Sequence, residues 1–255
     1  MSYAYLLQSE ADVEPAIPSP LLALVAALTR GIDVLLKVPY FTKQPDDYGS
    51  DAGLYHSWCH ERYVEAPYTM RSILLLWLRG HYLEAFVLVR HLLESFVQVR
   101  YFQRRPEQLR SHWMATTQRD RVSFKVMFED ASPGYYERQY GRLLSGVSHA
   151  GFAMSVFSSW VPPEGDSPAK MLPRLGCQFQ EQGAAAVMNL TVALLAGFLA
   201  WFPLCLSPSA EVVDPDVDNA RLRLLEALGP VLKSVFREEL GPLIRLLVMP
   251  PQPSM

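Results

Sequence analysis

The sequence predicts an all-α protein, a single helical bundle of about seven or eight helices. Apolar residues recur at helical spacing along most of the chain, and no stretch shows the alternation of apolar and polar residues that is typical of strands. Residues 183–206 contain no charged side chain, as expected for the central helix of an all-α domain. We expect a flexible arm at 1–17, one helical domain at 18–248 and a flexible tail at 249–255.

Prolines, glycines and capping residues divide the chain into predicted helices. Pro20 opens a helix that Ser19 caps and that ends near Pro39. Asp51 caps a short helix, Pro67 opens the next one, and Gly80 separates this from a long helix over 81–104. Helical spacing continues at 106–113, 118–129, 134–150, 183–206 and 221–239, with a loop predicted at 161–176.

Composition limits the classes of function. The net charge of −3 and the pI of about 6.1 provide no overall attraction to nucleic acid or to anionic membranes. Three scattered cysteines and an N-terminus without a signal-peptide pattern predict a reduced, cytoplasmic protein. There is no phosphate-binding loop, nucleophile elbow, dinucleotide fingerprint or zinc-protease motif, so we expect no cofactor.

The charge-free stretch at 183–206 is long enough to span a membrane. Neither end has the basic cluster that usually flanks a membrane span, and Pro203 interrupts the stretch. The sequence favours a buried core helix, and membrane association stays an alternative.

Arg90 and Glu94 are the most unusual residues of the long helix at 81–104. They lie one turn apart among apolar side chains, so they must pair with each other or with another charged group. One interpretation is a structural ion pair. The other is that Glu94 orients Arg90 so that its guanidinium binds an anion such as phosphate.

The predicted helix at 134–150 carries a second polar group. Arg138, Arg142, Ser145 and His149 share one face with Tyr135, whereas Tyr136, Tyr140 and neighbouring leucines take the other face. Histidine can transfer a proton near neutral pH, and arginine can stabilise the charge of a reacting phosphate. A solvated basic face is the alternative interpretation.

These two segments resemble an uncharacterised family of all-helical prokaryotic proteins. The resemblance covers about residues 65–200 and rests on 80–94, with its Arg-x-x-x-Glu spacing, and on 140–149, with its Tyr, Ser and His. More distantly, the chain resembles the HEPN superfamily, many of whose members are metal-independent ribonucleases of toxin and phage-defence systems. Their signature is Arg, four to six residues, then His, as in Arg142 to His149; Arg105 to His112 has the same spacing.

The HEPN resemblance implies a role for each candidate residue. His149 would activate a ribose 2′-hydroxyl, Arg142 would stabilise the phosphorane, and Ser145 lies between them. Arg90 and Glu94 would support them. Independently of the resemblance, we expect Arg90, Glu94, Arg138 and Tyr101 to contact the substrate. The implied partners are RNA and a second copy of the chain in a homodimer.

Two further clusters in the sequence contain candidate functional residues. His56, Cys59 and His60 are close enough on one helix to share a metal ion, but no second ligand group has a matching spacing, so we expect no metal. Basic and aromatic side chains alternate over 100–125, including Tyr101, and this pattern is typical either of a phosphate-tracking surface or of a solvated face.

The leading hypothesis is therefore an RNA-targeting effector related to antiviral defence. The alternatives are a non-catalytic helical interaction module, in which the Arg90–Glu94 pair is structural, and a membrane-associated protein anchored by 183–206.

Overall fold

The computed structural model describes residues 3–41, 49–134, 136–137, 140, 160–161, 170–171, 179, 181–206 and 214–235. This part of the chain contains eight α-helices, which confirms the all-α class. They are α1 (Tyr3–Ala11), α2 (Ser19–Phe41), α3 (Asp51–Leu78), α4 (Tyr82–Arg104), α5 (Pro106–Met114), α6 (Phe124–Ala131), α7 (Glu181–Leu206) and α8 (Pro215–Val235).

Shorter elements complete the described chain. Glu14–Ala16 and Gln118–Asp120 are 3-10 turns, the second at the start of the predicted helix at 118–129. Two strands of two residues each, β1 (Trp160–Val161) and β2 (Lys170–Met171), pair antiparallel. Strand β1 lies at the start of the loop predicted at 161–176, and β2 lies within it. The sequence shows no strand pattern there, because two residues are too few for alternation to be visible.

Three prolines that were predicted to limit helices lie inside them. Pro39 is within α2, Pro67 within α3 and Pro203 within α7, so α3 is one helix rather than two. A proline inside a helix removes one backbone hydrogen bond. At Pro203 the carbonyl left without that bond is the one at Leu199, and Arg221 Nη1 donates to it at 3.1 Å.

Other helix ends also differ from the sequence prediction. Ser50, not Asp51, caps α3, because its Oγ accepts a hydrogen bond from the Gly53 N–H at 3.0 Å. Helix α8 begins at Pro215, six positions before the predicted start at Arg221, and Asp214 Oδ1 accepts a bond from the Asp216 N–H. Local capping groups therefore set these boundaries.

The predicted N-terminal arm contains helical structure. Helix α1 and the turn at Glu14–Ala16 occupy most of residues 3–16. Val13 and Ile17 are buried, and Ile17 belongs to the main core. Their apolar side chains favour packing over solvation in this stretch.

Helix α7 lies at the centre of the described core. The ring of Phe198 is 5.3 Å from that of Tyr63 on α3 and 5.1 Å from that of Phe96 on α4. Two α3 side chains also donate hydrogen bonds to α7 carbonyls: Tyr63 Oη to Phe198 O, and Trp77 Nε1 to Ala184 O, both at 2.8 Å. Aromatic packing and directed hydrogen bonds together fix α7 against α3.

By length and composition, one helix of the described residues, Gly183–Pro203, could cross a membrane. However, 78% of its most apolar window is buried inside the protein. A helix that is apolar all round is equally typical of a buried core position. The feature is therefore weak evidence for a membrane span.

Gly31 allows α2 and α7 to approach closely. A Cβ atom at this position would lie 2.2 Å from Leu195 Cδ2 and 2.6 Å from Leu195 Cδ1. Leu195 is fully buried, so its side chain has little room to move.

We expect Gly31→Ala to lower the free energy of unfolding by about 1–3 kcal/mol, because overpacking outweighs the better helix propensity of alanine. Denaturant unfolding monitored by circular dichroism measures this change. The matched control is Gly229→Ala in α8, where no atom lies within 4 Å of an added Cβ. We expect its effect to stay within about 0.5 kcal/mol, since crowding against Pro230 offsets the helix propensity gained. Equal effects of the two substitutions would contradict the close approach.

Candidate functional site

Helix α4 presents Arg90 and Glu94 on a half-buried face. They are one turn apart, and Arg90 Nε donates to Glu94 Oε1 at 2.8 Å. Their side chains retain 20% and 28% of their accessible surface, so the pair is shielded but still reachable from solvent. On the opposite side of α4, Ala85 and Leu92 are buried in the core.

An aromatic cluster brings Tyr140 to this pair. Helix α6 presents Phe124 and Phe128, whose rings lie 4.6 Å and 6.1 Å from the ring of Tyr140. The ring of Tyr136 stacks on Tyr140 at 5.2 Å. Tyr136 and Tyr140 have π-helical backbone, a local variant that often occurs at functional sites.

Arg90, Glu94 and Tyr140 form one hydrogen-bonded network. Tyr140 Oη donates to Glu94 Oε1 in a short contact and accepts a bond from Arg90 Nε at 3.0 Å. The Arg90 guanidinium also lies over the Tyr140 ring, 5.2 Å from its centroid. The network thus joins α4 to a segment 50 residues further along the chain.

The network stabilises defined protonation states. Burial alone would lower the pKa of Arg90, but the hydrogen bond to Glu94 and the charges around it raise the pKa overall. Burial, followed by the hydrogen bond to Glu94, raises the pKa of Tyr140. Arg90 therefore stays charged and Tyr140 stays neutral across the physiological range. A cation held in this way has the chemistry to bind an oxyanion.

The other candidate residues of the predicted helix at 134–150 lie outside the described residues. These are Arg138, Arg142, Ser145 and His149. Tyr140 is predicted from the sequence to lie on the apolar face of its helix, and its contact with Arg90 and Glu94 is not predicted. No local pattern relates positions so far apart in the chain.

The structure does not bring Tyr101 to the Arg90–Glu94 pair. It lies eleven residues further along α4, about 16 Å along the helix axis. Its ring is buried beneath the Arg105 guanidinium at 4.7 Å, and its hydroxyl donates to Gln108 Oε1 at 2.8 Å. These contacts are those of a packing residue.

The basic stretch at 100–125 contacts acidic groups of neighbouring elements. Arg105 pairs with Asp130 at 2.7 Å, and Lys125 pairs with Glu137 at 3.1 Å. His112 Nδ1 accepts a hydrogen bond from the Val122 N–H at 3.1 Å. Arg105 and His112, which have the same sequence spacing as Arg142 and His149, therefore both make contacts within the fold.

The His56–Cys59–His60 group has contacts of its own. His56 Nδ1 lies 2.9 Å from Cys205 O, in the last turn of α7, and Cys59 is fully buried. Burial raises the pKa of the Cys59 thiol, which opposes the thiolate form that metals bind. Among the described residues, no three His, Cys, Asp or Glu side chains are grouped as metal ligands.

The fold and site define an all-helical protein with a half-buried Arg–Glu–Tyr network. Comparison with known proteins yields no match to a family model, to a curated protein or to a solved structure.

We expect Glu94→Gln and Tyr140→Phe each to destabilise the protein and to be strongly non-additive, because both remove parts of one network. In a double-mutant cycle, the coupling free energy should be about 1 kcal/mol or more. Chemical denaturation of the four proteins provides the measurement.

The matched control is the Lys125–Glu137 pair, which lies nearby but retains 57% and 69% of its accessible side-chain surface. Solvent screening should leave Lys125→Gln and Glu137→Gln without measurable coupling. If the cycle of Glu94 and Tyr140 gave no more coupling than this exposed pair, the network would not be energetically significant.

His112 predicts a pH dependence of stability. Burial and then the charge of Arg121 lower its pKa in the folded state. As pH falls through the ordinary value of 6.5, the unfolded state gains the proton first, so stability that is complete above this pH declines below it. Asn offers a similarly placed acceptor for the Val122 N–H without titrating. Urea unfolding at pH 7.5 and 5.5 should show a larger loss for the wild type than for His112→Asn, and equal losses would contradict the prediction.

Proposed function

We propose that this chain is an RNA-targeting helical effector that acts in the cytoplasm and cleaves phosphodiester bonds without a metal ion. The observation that carries the proposal is the Arg90–Glu94–Tyr140 network. It holds a permanently charged guanidinium on a half-buried face of α4. Phosphate groups of RNA are the oxyanions that such a guanidinium fits.

The sequence connects this network to the candidate catalytic residues. Tyr140 precedes Arg142 by two positions and His149 by nine, so the segment that carries them begins at the network. In the proposed reaction, His149 removes the proton of a ribose 2′-hydroxyl, whose oxygen attacks the adjacent phosphorus. The protonated His149 then returns the proton to the departing 5′-oxygen, leaving a 2′,3′-cyclic phosphate and a 5′-hydroxyl.

The remaining residues would stabilise charge and position the substrate. Arg142 would stabilise the negative charge of the phosphorane, as an arginine does in phosphoryl transfer. Arg90, oriented by Glu94, would bind a neighbouring phosphate, and Arg138 would extend this contact. Two copies of the chain would complete the site, as the HEPN resemblance implies.

A specific observation also favours a second candidate, a non-catalytic helical interaction module. Glu94 and Tyr140 already provide a carboxylate and a hydroxyl to Arg90 Nε. In this second candidate, the sole role of the network is to hold the segment around Tyr140 against α4. In that case, substitution of a residue of the network would change the stability of the protein without changing any effect on RNA.

We expect purified protein to cleave single-stranded RNA in the presence of EDTA, and His149→Ala to reduce the rate by about 100-fold or more, the usual effect of losing a general base. Gel analysis of end-labelled oligonucleotides measures the rate and identifies cyclic-phosphate ends. Circular dichroism should show that the variant is folded.

The matched control is His91→Ala, which removes an exposed histidine next to Arg90. It should retain wild-type cleavage. Sedimentation analysis of the same samples tests the dimer. Absence of cleavage with every RNA tried, or equal rates for His149→Ala and the wild type, would overturn the ribonuclease proposal and leave the interaction module.

A further inference from the structure

Arg100 is a buried cation on α4. It retains only 7% of its accessible surface, and its guanidinium stacks on the ring of Trp201 in α7, 4.3 Å from the centroid. Its Nε and Nη1 atoms are inaccessible to solvent and have no hydrogen-bond partner among the residues that the structure describes. Buried donors of this kind are nearly always bonded in folded proteins.

Trp201 adds another donor to the same contact. Its indole Nε1 is buried and also has no hydrogen-bond partner within the described part of the chain. Stacking against the ring face offsets part of the cost of burying the charge, but it gives the in-plane N–H groups no acceptor. Two touching side chains thus present three donors that require an acceptor.

The surrounding charges are mostly positive. Asp130 Oδ1 lies 2.7 Å from Arg105 Nη2, and its Oδ2 lies 3.8 Å from Arg104 Nη1. Asp130 thus pairs with Arg104 and Arg105, and its charge also acts on Arg100, which makes no ion pair with it among the described residues. Arg105 Nη1 is likewise buried and without a hydrogen-bond partner among the described residues. The cluster has an excess of positive charge and of donors.

The buried charge persists at neutral pH. Burial, and then the positive charge of Arg104, lower the pKa of Arg100 to about 10. This value is still far above neutrality, so the guanidinium does not avoid its burial cost by losing the proton. Arg104 and Arg105 retain 40% and 34% of their accessible side-chain surface, so these two neighbouring guanidinium groups are reachable from solvent.

We propose that Arg100, Trp201 and the neighbouring Arg104 and Arg105 bind an oxyanion of the phosphate class. A tetrahedral phosphate carries several acceptor oxygens and negative charge, so it can satisfy donors that approach from different directions. A carboxylate is already present as Asp130 and leaves these donors unbonded. The shared chemistry is that of free phosphate and of a nucleic-acid phosphate.

This site is separate from the Arg90–Glu94–Tyr140 network. Arg100 lies ten residues beyond Arg90, about 15 Å along the helix axis and about a quarter turn around it. Binding here does not depend on cleavage by His149. Accordingly, His149→Ala should bind phosphate as the wild type does, so the failure of either proposal can be recognised separately.

The test is titration of the full-length protein with sodium phosphate at constant ionic strength, followed by calorimetry and by the thermal unfolding midpoint. We expect the wild type to bind one phosphate per chain and its midpoint to rise with phosphate concentration. Arg100→Met should lose both effects. Arg105→Gln, at a partly exposed position, should weaken binding about tenfold or more, and it provides the test if Arg100→Met fails to fold.

The matched control is Arg110→Gln, which removes the same charge from a residue that pairs with Asp51 instead. It should bind phosphate within about twofold of the wild type, since Arg110 lies outside the cluster. A small phosphate-induced rise of the midpoint common to all variants would reflect general salt effects. If the wild type shows no more than that, or binds equally well without Arg105, the proposal is overturned.

Competition distinguishes the two sources of the anion. Displacement of phosphate by a short single-stranded RNA would identify a nucleic-acid phosphate as the ligand. Displacement by uridine 5′-monophosphate but not by the RNA would identify a free phosphate or phosphomonoester. Either result supports the oxyanion site, and in Arg105→Gln the competing ligand should bind more weakly by the same factor as phosphate does.

Discussion

Burial of the charge-free helix α7 is the constraint on which the rest of the structure depends. Apolar packing alone does not fix the orientation of a helix that is apolar all round. Polar side chains of the neighbouring helices fix it by donating hydrogen bonds to the carbonyl oxygens of α7. Trp77 on α3 donates to a carbonyl in its first turn, Tyr63 on α3 donates to one in its second half, and Arg221 on α8 donates to the carbonyl that Pro203 leaves free. The proline that was expected to end the helix therefore creates an acceptor that helps to hold α8.

Fixing α7 also fixes the two polar faces of α4. One face of α4 packs on α7 through Phe96 and directs Arg100 onto Trp201. About a quarter turn away, Arg90 and Glu94 meet Tyr140, which α6 holds through Phe124 and Phe128. A rotation of α4 would disturb both groups at once. Its packing against α7 thus positions charged side chains that have no direct contact with each other.

Sequence reasoning predicted what depends on local spacing. The Arg90–Glu94 pair follows from two residues one turn apart in an apolar setting, and helical periodicity was enough for the fold class. The prediction from sequence was wrong or incomplete where contacts between distant segments determine the structure. Pro67 removes one backbone hydrogen bond of α3, which is a local effect that the sequence shows. The burial of α3 side chains that outweighs this loss depends on other helices. Tyr140 is a second example, because it contacts Glu94 in the fold although the two residues are far apart in the sequence. Arg100 is a third, because it is buried although its sequence neighbours are as basic as those of a solvated face.

Two arginines of one helix therefore pose opposite physical problems. Arg90 finds a carboxylate and a hydroxyl within the fold, so the network itself stabilises and orients the charge. Arg100 has no such acceptor for Nε or Nη1 among the described residues, although an apolar side chain of similar size would pack there at lower cost. Because a buried cation without an acceptor destabilises the protein that carries it, its presence beside Trp201 is better explained by binding than by folding. The donors on α4 and α7 are then the preorganised half of a contact whose other half comes from solution.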